Sequence, residues 1–159
     1  MTLVATTDIP FRTGEHPWVV VARANGDGVA GVSQFEDELV VLVGDDSSRR
    51  AGTLARLSRS GRAEIQCQNA PQAMLVRHDE VVMVPSLPGL VDSVALGPRD
   101  YLVLCSAAVL EHLPRGMGFV TEHVRRRGSR TRVDALLDEM LSYAKSGGVA
   151  LVHLNTEAT

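Results

Sequence analysis

A chain of 159 residues that is 45% hydrophobic and 22% charged can bury one real core and has the composition of an ordinary globular domain. Its formal net charge of −3 argues against nucleic-acid and anionic-membrane partners, and no apolar window approaches the roughly 18 residues of a membrane span. The first apolar run, Trp18 to Ala22, is short and has no basic flank, so nothing resembles a signal peptide. Cys67 and Cys105 lie in separate apolar runs and read as buried thiols of a reducing cytoplasm, not as a disulfide or a metal pair.

In chain order, residues 1–17 hold Pro10, Gly14 and Pro17 among polar residues and read as a loop or weak edge strand. Strands are predicted at Trp18–Ala24 and Val29–Phe35, broken by Asn25-Gly26-Asp27-Gly28. The acidic turn Glu36-Asp37-Glu38 leads into Leu39–Val43, an unbroken Leu/Val run that predicts a strand buried on both faces. Gly44-Asp45-Asp46 closes it. Ser47 or Ser48 is placed to cap a short helix, Arg50 to Leu57, with Ala51, Leu54, Ala55 and Leu57 as its apolar positions. Strands follow at Ala63–Cys67, Ala73–Arg77 and Val81–Val84, then a Pro-rich loop with a short strand at Ser93–Leu96. Gly97-Pro98-Arg99-Asp100 is a turn before the strand Tyr101–Ser106. Helices are predicted at Ala108–Leu113, Phe119–Arg127 and Val133–Leu141, the last with apolar residues at 133, 136, 137, 140 and 141. Ser146-Gly147-Gly148 stops that helix, Val149–Leu154 is the final strand, and residues 155–159 are expected to fray. Many short strands joined by tight turns imply a single α+β domain, 18–154, built mainly of antiparallel sheet.

Four landmarks line up along this order: Gly26-Asp27, Gly44-Asp45 eighteen residues after Asp27, Asp100 to Glu111, and Gly147 to Leu154. Together they resemble the metal-dependent 2C-type (PPM) Ser/Thr phosphatases, in particular the bacterial branch typified by the stage II sporulation protein E. The resemblance implies two packed, mainly antiparallel sheets flanked by helices, an α/β sandwich. It also implies carboxylates holding two Mg²⁺ or Mn²⁺ ions, which activate a water for attack on a phosphoserine or phosphothreonine. By this resemblance Asp27 and Asp45 match two ligands. Ala107 stands where the family has an Asp, and Gly147-Gly148 where it has Asp-Asp. Arg49 falls within Ser48-Arg49-Arg50, where the family has Gly-His-Gly, and Ala70 within Asn69-Ala70-Pro71-Gln72, where it has Gly-His-Pro-Pro. Asp46 is a possible substitute oxygen donor. The single short helix before Ala63 is fewer than the family's two, which implies a thinned helical layer and an exposed apolar face.

Loss of carboxylates at two separated positions points to a degenerate, catalytically weak or inactive domain with no cofactor. Such a domain would act as a regulatory module that binds a protein partner, with a homodimer possible. The competing reading is an active Mg²⁺/Mn²⁺ phosphatase, and a third is a purely structural oligomerisation domain. Taken alone, Asp27 and Asp45 also fit plain turn and helix-start chemistry. The run Arg125-Arg126-Arg127 with Arg130 and Arg132 fits a solvated helix end or an acidic-partner site. The histidines at 16, 78, 112, 123 and 153 show no ligand spacing, and Ser106 has no recognisable triad partners.

Overall fold

The computed structural model describes residues 7–10, 17–46, 51–77, 80–87, 89–126 and 133–154. The elements in order are β1 Thr7–Pro10, β2 Trp18–Asn25, β3 Val29–Phe35, β4 Glu38–Gly44, β5 Gly52–Leu57, β6 Arg62–Gln68, β7 Ala73–Val76, β8 Val81–Val84, β9 Val91–Ala95 and β10 Tyr101–Cys105. Helices α1 Ala107–His112, α2 Met117–Arg126 and α3 Val133–Ser142 follow, and β11 Gly147–Leu154 closes the chain. A six-stranded sheet runs β1-β2-β11-β10-β7-β8 and a five-stranded sheet runs β3-β4-β5-β6-β9, every pair antiparallel.

Residue alternation sorts the side chains into two cores. Trp18, Val20, Ala22, Leu102, Leu104, Ala150 and Val152 point from the six-stranded sheet into the sandwich. There they meet Leu39, Val41, Val43, Ala55, Leu57, Ala63 and Ile65 of the five-stranded sheet. The intervening residues Val21, Val103, Cys105, Val149 and Leu151 face the other way, onto Phe119, Val120, Leu136, Leu137 and Met140 of the helices. Strands β2, β10 and β11 are therefore covered on both faces, which is why they read as continuous apolar runs. The Trp18 indole satisfies its one donor on the Ser58 carbonyl at 2.6 Å.

Two expectations are corrected. The helix predicted from Arg50 to Leu57 is strand β5, paired to β4 on one side and β6 on the other. Its spacing of apolar residues also satisfies a period of two: Thr53, Ala55 and Leu57 are buried, whereas Leu54 is only half-buried and Arg56 is exposed. Two flanking ladders outweigh a weak helical preference. The proposed caps Ser47 and Ser48 lie outside the described residues. Secondly, β4 is buried on one face only: Leu39, Val41 and Val43 are enclosed while Leu42 is 39% exposed. The one-sided burial of β4 has a plain cause. Among the described residues the helices cover the six-stranded sheet alone, and the outer face of the five-stranded sheet carries none. An open groove of about 560 Å³ lies on that face, lined by Leu42, Leu54, Gln66, Cys67, Leu90 and Val91.

The strand register separates two leucines that a helix would place on one face. Leu57→Ala, fully enclosed, is expected to cost about 2–5 kcal/mol in urea unfolding, and Leu54→Ala about 1 kcal/mol or less. Equal losses would contradict the alternation.

Candidate functional site

The four landmarks converge at one end of the sandwich. Gly26 and Asp27 form the β2–β3 turn, closed by the Gly28 amide donating to the Asn25 carbonyl at 2.9 Å. Asp45 follows the last residue of β4, Ala107 opens α1, and Gly147-Gly148 opens β11 opposite Asn25 and Ala24. Asp45 accepts a hydrogen bond from the Ala108 amide through Oδ1 at 2.9 Å, and its carbonyl accepts one from Ser146 Oγ at 3.4 Å. Asp27 and Asp46 are solvent-exposed.

Ser106 sits at the N-cap position of α1, yet its side chain makes no capping bond. Its Oγ accepts the Gly148 amide at 3.0 Å, and its own amide donates to the Gly148 carbonyl at 2.9 Å. Asp45, sixty-three positions from Ala108, supplies the missing cap. A carboxylate there satisfies an orphan helix donor and lies at the positive end of the peptide dipoles. Ser106 is 1% exposed and committed to β11, so its hydroxyl is not an available nucleophile. The neighbouring Cys105 thiol is pushed up to about 12 by burial, which leaves it protonated and inert at neutral pH.

The glycines at the family's Asp-Asp position occupy space that holds no side chain. A Cβ on Gly147 would stand 2.5 Å from Val109 Cγ2 and 2.7 Å from Ser106 Oγ. One on Gly148 would overlap the Val29 carbonyl oxygen, and one on Gly28 the Gly147 carbonyl. Gly26, at φ +57°, would press a Cβ onto Lys145 and Ser146. Three connections thus pack backbone on backbone where a liganded ion pair would need room.

Two Mg²⁺ or Mn²⁺ ions need a set of clustered oxygen ligands. Asp45 spends one oxygen on a helix amide, Ala107 has no donor, and no carboxylate fits at Gly147 or Gly148. Among the described residues no group of three or more His, Cys, Asp or Glu is placed to hold a metal ion. The described residues do not fit a two-ion centre. Arg49 lies outside the described residues. Ala70 is in the β6–β7 connection, which Thr53 Oγ1 fixes by donating to the Pro71 carbonyl at 2.7 Å. Of the basic run, Arg125 and Arg126 close α2, and Arg127, Arg130 and Arg132 lie outside the described residues. The tilted rings of His153 and Tyr101 lie 5.5 Å apart, and His112 bonds the Ala108 carbonyl at 2.8 Å. Sequence reasoning missed Ser106 and Asn25 as fasteners of this end. The Asn25 amide donates to the carbonyls of Leu141 and Ala144, both at 3.0 Å, and ties β2 to α3.

This is the architecture of the PP2C phosphatase domains. The phosphatase domain of the cell fate determinant SpoIIE from Bacillus subtilis superposes with a TM-score of 0.65 at 13% identity, over 89% of this chain and 95% of that one. The RsbU and RsbW domains of a Mycobacterium tuberculosis protein give 0.64 at 14% identity, over 87% of this chain and 62% of that one. RsbX, in complex with magnesium, gives 0.63 at 9% identity, over 97% and 100%. At these identities the likeness establishes the fold. No protein-family model and no curated protein matches the sequence.

Asp45→Ala should cost about 1 kcal/mol, the usual worth of a helix cap, with Asp27→Ala close to neutral. Gly148→Ala should cost about 3 kcal/mol, because backbone must move to admit the methyl group. Thermal and urea unfolding of the three variants check the ranking.

Proposed function

We propose that this domain has the phosphatase fold but acts as a non-catalytic regulatory module that works by binding another protein. The observation that carries this reading is the packing at Gly147-Gly148, against the Val109 and Ser106 side chains and the Val29 backbone, which leaves no room for the carboxylates of a metal centre. The use of Asp45 as a helix cap supports it, since the carboxylate already has a partner that is not a cation. An intact two-sheet sandwich with its ligand positions filled by Ala107, Gly147 and Gly148 is the pattern expected when a scaffold is kept for its surfaces. Localisation in the cytoplasm and a proteinaceous partner belong to the same proposal.

Isothermal titration with Mn²⁺, run beside hydrolysis of an aryl phosphate, tests it. Binding is expected to be millimolar or weaker, with no turnover, and Ala107→Asp is expected not to restore turnover. Micromolar Mn²⁺ binding together with turnover lost in Asp45→Asn would make the protein a working phosphatase and overturn the proposal.

A further inference from the structure

The two sheets have four edges, and three are protected. β1 is four residues long and carries Asp8 and Pro10. β8 is likewise four residues. β9 is five residues, and its Asp92 carboxylate accepts the Ser86 amide at 2.7 Å. Short length, an edge proline and a charge within the strand are the usual devices that discourage pairing with another chain. β3 has none of them. It is a seven-residue edge, Val29 to Phe35, without charge or proline, and Phe35 at its end is 65% exposed.

The hairpin fixes which of its backbone groups are free. Phe35 pairs with Glu38 across a two-residue turn, so these two exchange both of their amide bonds, and Ser33, Gly31 and Val29 pair likewise with β4. The N–H and C=O of Ala30, Val32 and Gln34 therefore point to the open side, where no described strand pairs with them. The ends of this edge are acidic: exposed Asp27 precedes it and exposed Glu36 follows it, next to Asp37, which pairs with Arg59 at 3.4 Å. Charge disfavours a second copy in the centred register. Antiparallel β3–β3 pairing centred on Val32 would set Asp27 against Asp37 at both ends.

We infer that β3 is a docking edge that takes an extended protein segment, neutral at its centre and carrying basic residues at each end, as an added strand of the five-stranded sheet. Main-chain bonds to Ala30, Val32 and Gln34 set its register, and Asp27 and Glu36 select its flanking charge. This rests on the binding-module reading above and names the chemistry of its partner.

The probe is a synthetic peptide of alternating Thr and Val with two lysines at each end, compared with a control in which each lysine is glutamate. Binding to the full chain is followed by fluorescence anisotropy and by amide shifts. The lysine peptide is expected to bind about tenfold more tightly than the control, and less tightly when salt rises from about 50 to about 300 mM. Shifts should centre on Ala30, Val32 and Gln34. Gln34→Pro removes an outward amide that β4 does not use and should cost about tenfold in affinity with the fold retained. Glu36→Lys, at an exposed turn, should cost about threefold without touching the strand. Equal or absent binding of both peptides up to about 1 mM overturns the assignment. So does a homodimer of the protein alone that Gln34→Pro dissolves, which would give the edge to a second copy. Metal binding and phosphate hydrolysis are read separately, so failure of the docking edge and failure of the non-catalytic reading are distinct results.

Discussion

The close approach of β11 to the turns of the opposing sheet is the constraint on which this molecule depends. β11 lies between β2 and β10 in the six-stranded sheet, and its first two residues reach across to β3 and β4 of the other. That contact is possible only because Gly28, Gly147 and Gly148 lack side chains, so that carbonyls and amides of different strands lie where Cβ atoms would stand. Ser106 fastens the approach by bonding both the amide and the carbonyl of Gly148. Backbone contact closes this end of the sandwich, and this sequence has the residues for it.

The cap on α1 follows from that choice. With Ser106 diverted to β11, the helix is left with an unpaired amide at Ala108, and Asp45 is the group within reach. The carboxylate then needs no cation: a backbone N–H and the aligned peptide dipoles provide its stabilisation. Asp45 at a strand's carboxyl end thus serves as a helix cap, and Asp27, exposed in a hairpin turn, fits turn chemistry.

Strands were legible in the sequence wherever apolar runs were bounded by turn residues, as at Trp18–Ala24 and Tyr101–Ser106. The amphipathic helix at Val133–Leu141 was equally plain. The same logic failed at β5. Ala51, Leu54, Ala55 and Leu57 match a helical face and an alternating strand about equally well over so short a stretch, and only the ladders on either side decide. β4 was misread for a related reason: Leu39–Val43 has the composition of a strand covered twice, but cover depends on helices contributed from elsewhere. The convergence of Asp27, Asp45, Ala107 and Gly147 was legible only through the family resemblance. The tasks given to Ser106 and Asn25 were not legible, because a hydrogen bond across forty or more residues leaves no local pattern.

A sheet whose outer face carries no helix among the described residues must manage an exposed face, and this one does so largely by polarity. β6 presents Arg62, Glu64, Gln66 and Gln68 outward, and Arg56 pairs with Glu38 at 3.1 Å across β5 and β4. What remains apolar is the strip of Leu42, Leu54 and Val91 along the groove. A side-chain strip of that kind is non-directional and would accept many partners weakly, whereas a strand edge offers bonds of fixed spacing and hence a register. The two features adjoin, since Leu42 lies opposite Gly31 of β3. Because Gly31 has nothing within 4 Å of where a Cβ would stand, a strand added beyond β3 has space for large outward side chains beside Leu42. Directional pairing at the edge and apolar contact on the face would then act on one partner, each compensating for what the other lacks.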